Sequence, residues 1–456
     1  MIKYFLLIIL LTLITVNTFA GDRASEATID LSRNLSRELF DSNGVQYLKP
    51  MVVAVNATSN SRFFNSAYIP HKVSKPYFRF GLHAMYGFVN ASDREFAPTL
   101  PAEQFQDTSL LRYINLTNFS IDTAGLTQYL FKTILYDGVR TNRPDDPSRK
   151  MIEVPKKAST VLGGYETNFL LYRDFMQTLV KRRLEIIKAN PLYKVLYPQL
   201  SSALDSLYTK SIEPVLNQFP EKMTLPKGGN LNSIFAFVPQ FEIGSLWGTE
   251  LLLRGIPPLN LGKYIGDFAF WGVGLKHSIS QYFYLDDDTY NGDAGKETES
   301  TPFNLAVQVA YQGTDLTNKI GETNSEMDVN GTFFDFNIHS GYRWDKVFDV
   351  PWDGPMDIYI GYSYETLDIT SNYTYWLPVE SQYRLGMMED PTNPDPNHPT
   401  SYYKPDYKPQ TTTIDMKDNN NKFVIGFCKQ FGRFAIFADY SISKFNIFTG
   451  GLQLRF

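Results

Sequence analysis

The chain has 456 residues, a formal net charge of -5 and 15% aromatic residues. The acidic balance gives no reason to expect a nucleic acid partner, and the single cysteine, Cys428, cannot form an internal disulfide. No stretch after residue 20 is long and apolar enough for a transmembrane helix. A high aromatic content without such a stretch favours strands in which apolar and polar residues alternate.

The first residues have the composition of a secretory signal peptide. Lys3 precedes an apolar run from Phe5 to Val16, and Thr18, Phe19 and Ala20 form a cleavage site of mostly small residues before Gly21. The run is shorter than the roughly 18 residues that a spanning helix needs. We therefore expect residues 1–20 to be removed near Ala20 and the mature protein to reside in the bacterial outer membrane.

A short amphipathic helix is predicted at the start of the mature chain. Between Ala24 and Phe40, Leu31, Leu35 and Leu39 recur at four-residue spacing. We place this helix on the periplasmic side of the first strand, in an N-terminal periplasmic or plug segment over residues 21–76.

Strands dominate from Tyr77 to the C-terminus. Tyr77–Val89 and Gly331–Trp344 each place aromatic and aliphatic residues on one face and polar residues on the other. Both are long enough for the roughly nine to eleven residues with which a tilted strand crosses a bilayer. Further strands are predicted at Ile234–Ile243, Thr249–Ile256, Ile265–Phe283, Phe303–Gly313, Met356–Ile369, Lys422–Phe431, Arg433–Ile442 and Asn446–Phe456, with weaker candidates at Thr127–Tyr136 and Tyr407–Met416.

The last predicted strand has one apolar and one polar face and ends on Phe456. We expect it to pair with the strand at Tyr77, because an open sheet edge in lipid would leave backbone groups without partners. The sequence thus predicts an all-β fold, a transmembrane antiparallel β-barrel of about 10–14 strands with a short N-terminal helix and a helical insertion. The barrel extends over residues 77–456.

The helical insertion is predicted at about residues 165–220. From Glu166 to Gln218, two leucine-rich stripes at helical spacing flank Pro191. They contain Leu171, Phe175 and Leu179, and then Leu192, Leu196, Leu200, Leu204 and Tyr208. Such stripes usually form packing faces, so we expect a cap or plug, with a partner-binding module as the alternative. The polar stretches Asp286–Ser300, Thr314–Asp328 and Asn372–Asp418 are predicted to be surface loops.

The sequence does not favour an enzyme. On a strand, His277 would face away from both Ser278 and Ser280, because residues that differ by an odd number occupy opposite faces. No Gly-x-Ser-x-Gly turn accompanies them. The histidines His71, His83, His277, His339 and His398 lack zinc-ligand spacing, and Asp286–Asp288 lacks the pattern of a calcium loop. We therefore predict no catalytic residues, no metal and no cofactor.

Polar and charged residues recur on the predicted inward face of the strands. They are Arg79, His83, Glu250, Arg254, Asp335, Asn337, His339, Arg343, Asp357 and Glu365. One interpretation is a network of ion pairs that fills a narrow barrel. The other is a lined pathway or a ligand pocket.

The segment Phe237–Gln281 resembles an uncharacterised family of Gram-negative outer-membrane β-barrels. The resemblance rests on short motifs in order: Pro239-Gln240, Gly248-Thr249-Glu250, Arg254, Pro257 and the run Gly272–Gln281. Tyr47–Pro50, Asn65–Ala67 and Asp439-Tyr440 resemble the opening and closing segments of the same family. The resemblance implies an outer-membrane barrel and no established activity. In layout alone, the chain is distantly similar to the long-chain fatty-acid transport porins.

Two functions of different classes follow from these patterns. In the first, the barrel is a transport channel for small or hydrophobic compounds, and its helical material serves as a hatch. In the second, it is a non-transporting surface or envelope-assembly barrel that binds a protein partner through its loops and helical insertion. The expected partners are outer-membrane lipid, the barrel assembly machinery and, for the channel, a small hydrophobic ligand.

Overall fold

Ten strands of the described chain form a closed antiparallel barrel. They are β1 (Tyr77–Phe88), β2 (Ser233–Leu246), β3 (Thr249–Asn260), β4 (Asp267–Ser278), β5 (Phe303–Ile320), β6 (Ser325–Arg343), β7 (Met356–Tyr375), β8 (Gln410–Phe431), β9 (Phe434–Ile442) and β10 (Ile447–Arg455). Each strand pairs with the next, and β10 pairs with β1 from Ile447–Gly87 to Arg455–Arg79. The predicted fold class and the predicted closing pair are confirmed.

The computed structural model describes residues 24, 26–59, 66–69, 72–73, 75–100, 113–115, 120–122, 125–126, 129–130, 152–189, 191, 200–219, 221–225, 227–260, 267–283, 289–290, 303–320, 325–344, 356–377, 382–383, 385–389, 403–406 and 408–456. The predicted signal peptide lies outside these residues. So do residues 192–199 of the predicted helical insertion and most of the stretches Thr127–Tyr136 and Asp286–Ser300.

Alternation along the strands decides which face each side chain occupies. On β1, Phe80 and Leu82 point outward with 48% and 46% of their surface exposed, while Arg79 and His83 are buried inside. The outward face of the barrel is a belt of aromatic and aliphatic side chains. The belt includes Phe78, Tyr86, Phe237, Trp271, Tyr311, Phe336, Ile360, Phe427, Ile436 and Leu452.

Strands β5 to β8 extend well beyond their predicted ends. The stretch Thr314–Asp328, predicted to be a loop, belongs mostly to β5 and β6. Both ends of the predicted loop Asn372–Asp418 also lie in strands, because β7 continues to Tyr375 and β8 begins at Gln410. The loop prediction was wrong in these parts.

The polar outward face of the extensions explains that error, because the outward face is apolar in the rest of the barrel. Their inward face is mixed, with Ile414 and Tyr373 buried as well as Thr314 and Ser371. Their outward side chains are polar and pair across strands, as in the hydrogen bond from Thr370 Oγ1 to Asp415 Oδ1 of 2.7 Å. A predominantly polar composition therefore concealed regular strands.

The predicted N-terminal helix is present as α1 (Glu26–Ser59), which continues well past Phe40. Its C-terminal half lies in the barrel lumen, where Ala54 and Ala57 are fully buried. We predicted this helix on the periplasmic side of the first strand, next to the start of β1. The structure instead packs its N-terminal half against the residues that follow β1, at the opposite end of the barrel from Phe456.

Residues 89–232 connect β1 to β2 and have a core of their own. Among the helices of this segment's described residues are α2 (Arg173–Ala189), α3 (Leu200–Leu207), a π-helical turn (Tyr208–Ile212) and α4 (Glu213–Gln218). A small sheet of Ile152–Glu153, Thr167–Leu171 and Lys222–Leu225 packs with them. Leu35 and Leu39 of α1 join this core. In the part of the chain that the structure describes, no helix has the length and apolarity needed to cross a membrane.

The helical insertion is therefore confirmed, but its predicted start is not helical. Thr167–Leu171 is a strand in which Thr167, Phe169 and Leu171 are buried and Leu170 is exposed. Alternating burial of this kind is the pattern of a strand with one face on a core.

Candidate functional site in the barrel lumen

All ten residues predicted to face the lumen are buried, and Asp357, the most exposed of them, retains 8% of its surface. The inward face brings most of them together in two clusters of charged side chains. Each cluster also contains a buried lysine that was not among the predicted residues.

The first cluster surrounds Glu250 on β3. Arg79 donates a hydrogen bond from Nη1 to Glu250 Oε1 at 2.6 Å, and Lys276 Nζ lies 2.5 Å from Oε2. The hydroxyl of Tyr77 donates to the same carboxylate. The same Nη1 atom of Arg79 lies 3.5 Å from Oε2 of Glu242. A buried carboxylate held by two cations and a hydroxyl is well compensated for the loss of water.

The second cluster surrounds Glu365 on β7, directly opposite Asp335 on β6. Lys422 forms an ion pair with Glu365, and Asn420 Nδ2 donates to Glu365 Oε2 at 2.7 Å. Asn337 Nδ2 donates to Asp335 Oδ2 at 2.7 Å. Since the Oδ1 atom of Asn337 can only accept, the contact of 3.0 Å with Nδ1 of His339 makes that nitrogen the donor.

The remaining predicted residues form smaller pairs beside the clusters. Arg254 Nη2 donates to Gln240 Oε1 at 2.8 Å, and Gln240 Nε2 donates to Glu242 Oε1 at 2.7 Å. At the end of β6, Arg343 Nε lies 3.4 Å from Asp357 Oδ1. His83 packs against the ring of Phe437 at 4.9 Å between centroids.

The two buried lysines connect the barrel wall to the N-terminal segment. Lys422 Nζ donates to the carbonyl oxygen of Ala57 at 3.1 Å, and Lys276 Nζ donates to that of Ser66 at 3.3 Å. Each lysine thus binds one wall carboxylate and one backbone carbonyl. Because Ala57 lies in the last turn of α1, its carbonyl is at the negative end of the helix dipole. The wall therefore holds the lumen helix at its C-terminus with a buried cation.

Sequence reasoning overlooked Lys276 and Lys422 although a signal was present. Lys276 shares its parity on β4 with Gly272 and Gly274, which are buried on the inward face. Lys422 has the parity of Asn420 on β8. Extending the inward face along every strand, beyond the clearest ones, would have identified both lysines.

Further along the lumen, α1 packs closely against apolar wall residues. The rings of Phe40 and Tyr373 are stacked with centroids 4.2 Å apart. At Gly44 the helix passes so close to β8 that an added Cβ would lie 2.6 Å from Ile414 Cδ1. At the start of the helix, Arg33 donates from Nε and Nη2 to the two carboxylate oxygens of Asp406, both at 2.7 Å.

Gln308 on β5 lies between the two clusters, opposite Lys276 on one side and Asn337 on the other. Only 1% of its surface is exposed, and neither atom of its amide has a hydrogen-bond partner among the described residues. Buried amides are normally satisfied by protein, water or a bound molecule. This part of the lumen is therefore suited to a polar guest.

The His and Ser residues weighed as catalytic candidates lie on different faces. His277 faces outward and contacts Thr249 Oγ1 at 2.8 Å and the Tyr282 hydroxyl at 2.9 Å. Ser278 is buried, with its Oγ atom 3.2 Å from that of Ser280. Within the described residues, no three His, Cys, Asp or Glu side chains are grouped as metal ligands.

The model of a family of unknown function, DUF6588, matches residues 1–456 of the chain. No curated protein matches it. Among solved structures, the crystal structure of OccAB2 from Acinetobacter baumannii aligns over 52% of this chain and 85% of its own, with 9% sequence identity and a TM-score of 0.10. A likeness at that TM-score carries no argument about function.

Proposed function

The chain belongs to the DUF6588 family, and we propose that it is an outer-membrane β-barrel channel whose lumen is closed by α1 and admits small compounds when α1 moves. The position of α1 is the observation that carries this proposal. Its buried side chains contact inward-facing residues of β1, β2, β4 and β10 on one side and of β6, β7 and β8 on the other. A helix that contacts wall residues on both sides occupies the path through the barrel.

The outward surface supports a place in the outer membrane. A belt of exposed aromatic and aliphatic side chains is what lipid requires of a barrel, and the belt gives way to paired polar residues on the extensions of β5 to β8. The predicted signal peptide agrees with export. On this interpretation, the extensions and residues 89–232 lie on the outer side, because barrels of this class have short periplasmic turns and long outer connections.

The contacts of α1 support a movable plug. The helix is held by noncovalent contacts, including Asn56 Nδ2 to Asp418 Oδ2 at 3.4 Å and the bond from Lys422 to Ala57. The wall behind it carries polar groups, and Gln308 offers an amide with no partner among the described residues. A hydrated, polar lumen is what a small solute needs once the helix has shifted.

A reversible disulfide between α1 and the wall tests the proposal. The variant carries Gly44→Cys and Ile414→Cys in a Cys428→Ala background, because Gly44 is the closest approach of α1 to β8. We expect planar-bilayer recordings to show no openings when the disulfide is formed and openings after reduction. Val45→Cys with Ile414→Cys is the matched control, since Val45 is 46% exposed and faces away from the wall.

Two results would contradict the channel. Absence of conductance in the reduced and wild-type proteins, with the barrel folded, would show that no channel exists. Equal conductance with and without the disulfide would show that α1 is not the gate.

A second candidate function is favoured by residues 89–232, which have a core of their own and an exposed apolar side chain at Ile186. In this alternative, they dock a protein partner at the cell surface. Ile186→Glu should then abolish retention of the partner in pull-downs and leave bilayer conductance unchanged. Arg182→Glu on the exposed side of the same helix is the control for a change of charge alone.

A further inference from the structure

Strands β2 and β3 are paired over only part of their lengths. Their pairs run from Leu246–Thr249 to Gln240–Arg254, and beyond Gln240 and Arg254 the described residues of β2 and β3 are not paired with each other. Both strands nevertheless continue. β2 pairs with β1 as far as Ser233–Phe88, and β3 pairs with β4 as far as Asn260–Asp267. We call the two stretches that are not paired with each other, Ser233–Pro239 of β2 and Gly255–Leu259 of β3, the seam.

Among the described strands, every other neighbouring pair in the barrel is joined along the shorter strand. β4 and β5 are paired throughout β4, and β10 is paired with β1 throughout β10. The seam is therefore a local property of two strands and does not follow from the tilt or closure of the barrel.

Prolines explain why pairing stops there. Continuing the register of β2 and β3 would place Phe237 opposite Pro257 and Ala236 opposite Pro258, and a third proline, Pro239, lies in β2. Proline has no backbone N–H to donate to a neighbouring strand. The pairing of β3 with β4 also shifts between Ile256 and Leu259, which makes Pro257 and Pro258 a bulge. A bulge bends its strand and disrupts the local ladder.

Both sides of the seam are apolar. Outside it, Phe235, Phe237 and Leu259 are 55%, 52% and 46% exposed. Inside it, partly buried apolar side chains pack on the lumen half of α1. These are Ile234, Ala236, Ile256 and Phe268, which contact a cluster that contains Ala54 and Ala57. The seam residues include no charged side chain.

We propose that the seam is a lateral opening through which the acyl chain of an amphiphile passes from the lipid into the lumen beside α1. This inference rests on the proposed channel and names the class of its substrate. A charged solute would lose its hydration against these apolar walls without compensation. A partner strand is disfavoured as occupant because the three prolines remove donors that strand addition needs.

The polar group of the amphiphile has a place at the upper end of the seam. There Asn260 Nδ2 donates to Asp267 Oδ1 at 2.8 Å, and both side chains are exposed. The seam thus has an apolar length and one polar end, which is the pattern of a single-chain amphiphile.

A thiol-reactive acyl chain tests the opening. The full-length protein in phosphatidylglycerol vesicles is treated with hexadecyl methanethiosulfonate, which transfers its sixteen-carbon thioalkyl group to an accessible cysteine. The Ala236→Cys variant, in a Cys428→Ala background, has its thiol on the lumen side of the seam. The Ala310→Cys variant is the matched control, because Ala310 is also apolar and inward but lies in a fully paired wall. Phe237→Cys, on the outer face, is the positive control.

We expect mass spectrometry to show modification of the Ala236→Cys and Phe237→Cys variants and none of Ala310→Cys. Replacing both Pro257 and Pro258 with valine should slow modification of the Ala236→Cys variant about tenfold, which corresponds to restoring one or two backbone hydrogen bonds.

Equal modification of the Ala236→Cys and Ala310→Cys variants would overturn the lateral opening. So would a lack of modification of Ala236→Cys in an experiment in which Phe237→Cys reacts. The test does not depend on conductance. If the acyl reagent does not modify Ala236→Cys selectively but the disulfide controls conductance, the gated channel stands and the lateral opening is wrong. If Ala236→Cys is modified selectively but the disulfide does not affect conductance, the lateral opening stands and the gated channel is wrong.

Discussion

At the scale of single residues, the lumen depends on two buried lysines in matching roles. Lys276 pairs with Glu250 and Lys422 pairs with Glu365, and each also binds a carbonyl of the N-terminal segment. Such pairs contribute little net stability when both partners are present, but removing one partner leaves a buried charge uncompensated. Ion pairs join several of the predicted lumen residues. The sequence pattern did not indicate the contacts that the two lysines make with the N-terminal segment.

Lys422→Met should destabilise the folded barrel by about 3–5 kcal/mol, because Glu365 then keeps its burial and loses its cation. Urea unfolding followed by tryptophan fluorescence measures the loss. Lys417→Met is the control, since Lys417 lies on the same strand and pairs with Asp368 at the exposed surface. A Lys422→Met protein as stable as the control would show that the second cluster does not need its cation.

At the scale of elements, α1 connects two parts of the protein. Leu35 and Leu39 belong to the core of residues 89–232, and Val161 N donates to the carbonyl of Tyr47 at 3.0 Å. The same helix ends among the wall residues of the lumen. The spacing of Leu31, Leu35 and Leu39 predicted a helix with one packing face, but a leucine stripe does not specify what it packs against. Only the fold shows that Leu35 and Leu39 pack against the core of residues 89–232, which follows β1 in the chain.

Leu39→Ala should cost about 2–5 kcal/mol, because it removes a side chain that is 2% exposed from that shared core. Limited proteolysis should then cleave residues 89–232 faster while the barrel strands stay protected. Val45→Ala, on the exposed side of the helix, should leave the digestion pattern unchanged. Unaltered digestion of Leu39→Ala would mean that α1 does not stabilise the insertion.

At the scale of the whole molecule, barrel closure depends on the pairing of the first and last strands. β10 supplies the partner for β1, and Phe456 N donates to the carbonyl of Phe78 at 2.9 Å beyond the last pair. In the membrane location that we propose, the barrel without β10 would have two edges with unpaired backbone groups in lipid. The seam between β2 and β3 is tolerated because it is short and because its prolines carry no N–H group to leave unpaired.

A chain that ends at Lys444 should therefore fail to assemble in the membrane. Heat-modifiable migration on gels and protease resistance in isolated outer membranes report assembly. Leu452→Val, which keeps β10 and its outward apolar face, should assemble normally. A protease-resistant barrel formed by the truncated chain would contradict the closing role of β10.

The sequence by itself determined the class of the fold, most of its strands and the face of each lumen residue, because alternation with a period of two is a local property of a strand. It misjudged the extensions of β5 to β8, where the outward side chains are polar and the inward ones are mixed. It also did not predict the seam, although Pro239, Pro257 and Pro258 were visible, because a missing pair depends on the register between two strands. The tertiary structure alone decided that α1 fills the lumen and which carboxylate each buried lysine meets, since those contacts join residues that are far apart in the chain.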